Sequence, residues 1–298
     1  MYEKPTEQFD YNLIKQWYSL ASVKFELIKF LYNREFALLV PKFITDIDIK
    51  KRSVRTLKCH SVQHLDFNLN ATQMFLKNTP YNFYYSLAKY INGIPNQTLN
   101  FAERDNSNWI KNHYKFIESY DYLIDIDAGS FDDLYFAYYS TKNIKKMFDD
   151  LNVPYELRFS GMGFHFIIPY KYLPQNLSFN PAENNNLYKF LFNLSTKISM
   201  DKSEMVDLNI YDSRRICKIP YSLALYENDC FICTPFINNE QFDKFGNNIH
   251  KNLYKLRCNN YLYNIQNRGT YLFNQTGNLI KLLTHYDLNE YIKGLKNE

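Results

Sequence analysis

Two aspartates stand two residues apart in the apolar run DYLIDIDA (121–128). Side chains alternate along a strand, so Leu123, Asp125 and Asp127 share one face while Tyr122, Ile124 and Ile126 share the other. Carboxylates one pleat apart, about 6.5–7 Å along the strand, repel each other where Ile and Leu keep water away. A divalent cation is the usual remedy. Hard oxygen ligands select Mg2+ or Mn2+, and Mg2+ takes one or two carboxylates and completes its shell with water and substrate phosphates. The pair also has a plainer reading, because a bare DxD is short and common and suits a strand whose Asp residues run into a solvated loop.

Two further segments carry chemistry. Ser160-Gly161-Met162-Gly163-Phe164-His165 lies between apolar runs. Its glycines allow positive φ and close approach of backbone N–H groups to an anion, with Ser160 and His165 adding side-chain donors for a triphosphate. A hairpin turn with an ordinary strand histidine fits this segment equally well. In 206–211, Val206, Leu208 and Ile210 alternate with Asp207, Asn209 and Tyr211, which puts a third carboxylate on the polar side of a strand. Arg215 and Lys218 follow, as basic groups suited to a nucleotide polyphosphate. Taken alone, this last segment reads more simply as a surface turn closing on Asp212. The case for a site rests on all three segments occurring in order.

The elements that must hold these residues are readable from periodicity. Apolar residues from Phe9 to Tyr32 keep helical spacing, with Asn33 as terminator, and predict one helix. Strand-like runs follow at 34–40, 54–60 and 82–90, then an Asn-, Asp- and Ser-rich loop from Asn92 to Asn112. The central part predicts a strand at 121–128, a helix over 131–150 capped by Ser130 with Asp133, and a strand, glycine turn and strand across 156–170. It continues with a helix within 183–199, a strand at 205–211 and a strand near 229–237. This order describes an α+β fold, a mixed or antiparallel sheet flanked by helices, ending in a mostly helical segment over the last forty residues.

Composition limits the rest. At 298 residues and 46% hydrophobic the chain has ample core, so disorder is excluded. With 22% charged residues and a net charge of +4, nucleic acid cannot be bound through bulk charge, only at a local site. No window approaches the ~18 apolar residues of a membrane span, and the amino-terminal residues lack the pattern of a signal peptide. The expectation is a cytosolic protein, or one of a nuclear or replication compartment, with no membrane partner and with reduced cysteines.

The three segments resemble the catalytic motifs of the archaeo-eukaryotic primase superfamily: LIDID for hhDhD, SGMGFH for SGxxGxH or SGxGxH, and VDLNI with RRICKIPYSL for hDxxV and RhhRxPxSLH. NREFALL (33–39) and YNFYYSLAKY (81–90) are similar to two upstream segments of that family, so the resemblance runs from about Asn33 to Leu225 and is nearest to the catalytic small subunit of replicative primases. It implies one catalytic domain over 1–298, with 33–118 as the first part of the module, 119–228 carrying the motifs and 229–298 as a carboxy-terminal segment. It implies that Asp125, Asp127 and Asp207 are catalytic and hold Mg2+ or Mn2+, and that Ser160, Gly161, Gly163, His165, Arg215 and Lys218 bind an incoming NTP or dNTP. The activity implied is nucleotidyl transfer by a DNA primase or primase-polymerase on single-stranded DNA, with a large primase subunit or another replication protein as partner. A gap-filling polymerase of the end-joining or lesion-bypass type and a non-catalytic binding subunit are the alternatives. Met162 and Ala224 depart from the pattern, standing where a basic residue and a His are common, and so thin the triphosphate contacts.

The same family often carries a structural zinc site, for which Cys230, Cys233, His250 and Cys258 are four candidate ligands. In a strand, residues three apart face opposite sides, so the Cys230-Phe-Ile-Cys233 spacing favours core cysteines over zinc. Asp132 and Asp133 read as first-turn helix carboxylates. Tyr84, Tyr85 and Tyr90 read as core aromatics ahead of base-stacking ones.

Overall fold

Runs rich in Tyr, Phe, Ile and Leu form two antiparallel sheets in the computed structural model, which describes residues 11–31, 33–40, 53–58, 82–91, 112–226, 229–255 and 271–296. The first sheet contains β1 (Arg34–Val40), β2 (Ser53–Lys58), β3 (Asn82–Tyr90), β4 (Ile117–Tyr120) and β8 (Ile216–Lys218). Its order is β2-β1-β3-β4, with β8 also paired to β3. The second contains β5 (Tyr122–Asp127), β6 (Glu156–Phe159), β7 (Gly163–Ile168) and β11 (Thr234–Pro235) in the order β11-β6-β7-β5. Strands β9 (Leu223–Tyr226) and β10 (Asp229–Ile232) form a separate hairpin.

Only Asp121 separates β4 from β5, and it joins the sheets. Its carboxylate accepts the Tyr170 N–H at 3.0 Å and pairs with Arg34 at 2.6 Å, while Arg34 also donates to the Ser86 and Leu87 carbonyls. The sheet-to-sheet step that aims β5 is thus fixed by side chains as well as by the chain.

Helix α3 (Leu134–Asp150) packs on β5 and β7, and α4 (Leu187–Lys202) packs on α3. In α3, Leu134, Ala137, Tyr138, Thr141, Ile144 and Phe148 recur at helical spacing and are buried. In α4, Asn186 caps the start by accepting the Lys189 N–H at 2.9 Å. The apolar face of β5 closes this core, with Tyr122, Ile124 and Ile126 fully buried. Phe148, Tyr155 and Phe166 meet edge-on or tilted at centroid distances of 5.3–5.5 Å. Replacing Ile126 with Ala is expected to cost about 2–5 kcal/mol, read as a lower urea midpoint.

The mixed α+β architecture with antiparallel sheets and flanking helices matches the sequence expectation. Strands β1 and β3 span the expected runs, and β2 covers the described part of 54–60. The loop over 92–112 lies outside the described residues except for Asn112.

Two elements differ. The single helix over 9–32 is two, α1 (Tyr11–Ser19) and α2 (Ala21–Leu31), broken at Leu20. There the Ser19 hydroxyl bonds back to the Gln16 carbonyl at 2.7 Å, which competes with continued helix. Asn33 does end α2, at φ 56. The strand over 205–211 is a single bridge, Ile126 to Val206, followed by a turn. The described residues of the carboxy-terminal segment are mainly helical, as expected, with one extended stretch. Its helices are α5 (Asn239–Asn247), α6 (Ile249–Lys255) and α7 (Ile280–His285), with a 3-10 turn at Asn289–Gly294. Phe273 instead pairs as a bridge with Tyr155 and stacks on its ring at 5.0 Å, which holds that stretch extended.

Candidate active site

The register of β5 on β7 sets Asp125 opposite His165 and Asp127 opposite Gly163. Both aspartates leave the face opposite Tyr122, Ile124 and Ile126, as alternation requires. The bridge at Val206 then brings the third acid alongside: the Asp207 N–H donates to the Asp125 carbonyl at 2.9 Å. Asp207 in turn accepts the Asn209 N–H at 2.8 Å, an Asx turn that fixes its side chain and ends the pairing. Oxygen atoms of Asp125, Asp127 and Asp207 lie within 4.8 Å of one another, the one such group of three acidic, His or Cys side chains among the described residues.

Positive groups surround the acids. His165 Nε2 lies 3.2 Å from Asp125 Oδ1, and its Nδ1 lies 3.3 Å from the Cys217 sulfur. The Arg215 guanidinium stands 3.6 Å from Asp125 and 3.9 Å from Asp207. Burial opposes ionisation of Asp125, but His165, Lys218 and Arg215 outweigh it and hold its pKa below the usual carboxylate value. Desolvation and the charges of Asp125 and Asp207 push that of Asp127 up. For His165, burial disfavours the charged ring, yet Cys217 and Asp125 lift its pKa to about 10. One sheet face therefore carries an acid held ionised, a second acid whose ionisation is opposed, and a histidine whose charged form is favoured.

This donor set fits a divalent cation. All three ligands are hard oxygens, and Asp125 Oδ1 is buried with no hydrogen-bond partner despite its ion pair. Asp127 lies at the exposed end of β5 and Asp207 is half-buried, which leaves one side of the group open to a ligand.

The glycine segment is a tight turn tied to this strand. The Ser160 N–H donates to the Gly163 carbonyl, and the Ala128 N–H donates to the Met162 carbonyl, each at 2.9 Å. Gly161 has φ 104, and any Cβ there would stand 2.1 Å from Cβ of Ala224. Lys218, on β8 of the first sheet, reaches across to donate to the Ser160 carbonyl at 3.0 Å. Ser160 is buried within the turn, while His165, Arg215 and Lys218 gather around the carboxylates.

Other expected residues fall elsewhere. Cys230 and Cys233 are buried, and burial, helped by Cys217 and opposed by Arg158, pushes the Cys233 thiol up to about 12. His250 belongs to α6, and Cys258 lies outside the described residues. Tyr85 and Tyr90 are core, whereas Tyr84 is half-buried. The helix expected from 131 begins at Leu134; before it Ser130 closes a turn by accepting the Asp133 N–H at 3.2 Å and donating to its carboxylate, and Asp133, not Ser130, stands at the N-cap. Sequence reasoning missed Cys217, although alternation from Arg215 would put it on the same strand face.

No family model and no curated protein sequence matches the chain. Among solved structures it is similar to the polymerase domain of Mycobacterium tuberculosis ligase D in complex with DNA, over 82% of this chain and 88% of that one, at 8% identity and a TM-score of 0.45. So distant a likeness carries no inference about activity. Among the described residues, no helix is long and apolar enough to cross a membrane.

Proposed function

We propose that the protein is a template-directed nucleotidyltransferase of the primase-polymerase type, which begins or extends RNA or DNA strands on single-stranded DNA. The observation that carries this reading is the convergence of three carboxylates from two chain segments within 4.8 Å, flanked by His165 and Arg215. Asp125, Asp127 and Asp207 would hold Mg2+ or Mn2+. Bound there, such cations activate a 3′ hydroxyl and neutralise charge on the α-phosphate and the leaving pyrophosphate.

The chain's own groups then position the nucleotide. His165, held between Asp125 and Cys217, would add positive charge beside the triphosphate of an NTP or dNTP, and Arg215 would add a planar guanidinium beside it. Lys218, held at the Ser160 carbonyl, places a third positive charge at the glycine turn formed by Ser160, Gly161 and Gly163. No covalent intermediate is required, since in-line transfer needs positioning and charge stabilisation alone. A large subunit or another replication protein that helps hold the initiating nucleotide belongs to the same reading.

Incubation with single-stranded DNA, NTPs or dNTPs and Mn2+ or Mg2+ is expected to yield template-dependent products. Omitting the primer separates strand initiation from extension alone. A folded preparation that gives no product with or without primer overturns the proposal.

Lys218→Ala should mainly weaken nucleotide binding. A charge-assisted phosphate contact of ~1.5–3 kcal/mol, made in ground and transition states alike, corresponds to a KM raised by roughly one to two powers of ten with kcat little changed. Primer extension over a nucleotide titration measures both constants.

A further inference from the structure

A cleft of about 500 Å³ opens between the start of α4 and the turn that follows Asp207. Tyr188 and Phe192 of α4 and Leu208, Asn209, Tyr211 and Asp212 of the turn line it. Its size suits a small ligand, and its mixture of rings with a few polar groups is that of a site for a flat, hydrogen-bonding molecule.

One aromatic group, Phe192, is left out of the core. The buried positions of α4 are Leu187, Tyr188, Phe190, Leu191, Leu194, Ser195 and Ile198, a set that leaves Phe192 outside, 44% exposed. Phe192 and Tyr211 nevertheless stand at 72° with centroids 6.4 Å apart, two walls of one corner. Tyr211 is anchored from behind: its hydroxyl accepts from Ser195, and its ring lies 6.1 Å from that of Tyr122. Tyr188 is buried, and its hydroxyl has no hydrogen-bond partner among the described residues. Asn209 supplies an exposed amide.

The cleft shares its turn with the metal-ligand candidates. Asp207 binds the Asn209 N–H, so the third carboxylate and the cleft wall are set by one hydrogen bond. Tyr211 lies near enough to Asp125 and Asp207 for their charges to disfavour its ionisation. Lys189, exposed on the same border, adds a positive charge.

We propose that this cleft is a nucleobase subsite adjoining the three carboxylates. The inference rests on the nucleotidyltransferase reading, which puts polyphosphate at the carboxylates and so brings a base within reach of Phe192 and Tyr211. The base arrives either on a free nucleotide or as an unpaired base of a strand. Stacking on an aromatic ring is sequence-tolerant, and loss of the ring costs roughly tenfold to a hundredfold in affinity.

Calorimetry on the full chain and on Phe192→Ala separates these cases, with Mg2+ present throughout. The probes are ATP, tripolyphosphate, a short oligothymidylate and an abasic oligonucleotide of equal length. For a base brought by a nucleotide, ATP binds at least tenfold tighter than tripolyphosphate, and Phe192→Ala abolishes that advantage without changing tripolyphosphate affinity. For a base brought by a strand, ATP and tripolyphosphate bind alike, and Phe192→Ala weakens oligothymidylate about tenfold but not the abasic strand. Either result supports the subsite. Unchanged affinity of Phe192→Ala for both ATP and oligothymidylate overturns it, as does an equal loss for the base-free probes. If tripolyphosphate does not bind at all, the reading of the carboxylate site fails, and the oligonucleotide pair alone decides the cleft.

Discussion

Asp127→Asn is expected to abolish most template-directed synthesis, by several orders of magnitude, in a protein that remains folded. The substitution keeps shape and removes one of three charges needed to hold divalent cations against the developing charge of phosphoryl transfer. Stability should not suffer. Desolvation and the charges of Asp125 and Asp207 raise the pKa of Asp127 above that of an unfolded Asp, so its protonated form is the one the fold prefers. The stability linked to that preference is fully present below the unfolded pKa and is lost as pH rises through the folded one. Asn imitates the preferred form at every pH, so the variant should match or exceed the native protein in thermal midpoint near neutrality, the difference fading in acid. Mn2+ calorimetry should show weakened binding, while affinity for single-stranded DNA, resting on other groups, changes little. Near-normal synthesis with unchanged metal dependence would remove the carboxylates from the proposed function.

The parts of this site legible in the sequence are those written in local periodicity. β5 announces its two faces by alternation, and the pair β6 and β7 is bounded by its glycine turn. Asp207 was legible as a carboxylate beside buried Val206 and Ile210, but its setting was not. Alternation over 205–211 looks like a strand, yet the Asp207 side chain captures the Asn209 N–H and turns the chain after one bridge. Helical spacing over 9–32 likewise hides a break at Leu20, where the Ser19 hydroxyl bonds back to the Gln16 carbonyl. The contacts that assemble the site join distant segments, as in Cys217 to His165 and Gly161 to Ala224. Such contacts leave no periodic trace. In the sequence Ala224 reads as a lost phosphate contact, whereas in the fold its methyl fills the space that a side chain on Gly161 would need.

Gly163→Ala is expected to damage both fold and site, for a reason confined to one methyl group. Gly163 sits opposite Asp127 in the β5–β7 ladder. A Cβ there would stand 2.0 Å from the Ile126 carbonyl oxygen and 3.1 Å from the Asp127 Cα. Both are backbone atoms of the metal-site strand β5, so no rotamer change relieves the clash, and the strands must part between the two aspartates. Overpacking of this kind costs about 1–3 kcal/mol, occasionally more. The displaced residues are the carboxylates themselves, so Mn2+ affinity and synthesis should fall in the fraction that stays folded. Gly129→Ala is the matched control two residues beyond Asp127: its nearest neighbour would be an Asp133 carboxylate oxygen at 3.5 Å, an ordinary contact. That variant should unfold within about 0.5 kcal/mol of the native chain and retain cation binding. Urea denaturation and Mn2+ calorimetry on the two variants give the comparison. Equal stability and equal Mn2+ affinity in both would mean that β5 and β7 do not approach at Gly163 as closely as the shared register requires, and that the spacing of Asp125 and Asp127 is set elsewhere.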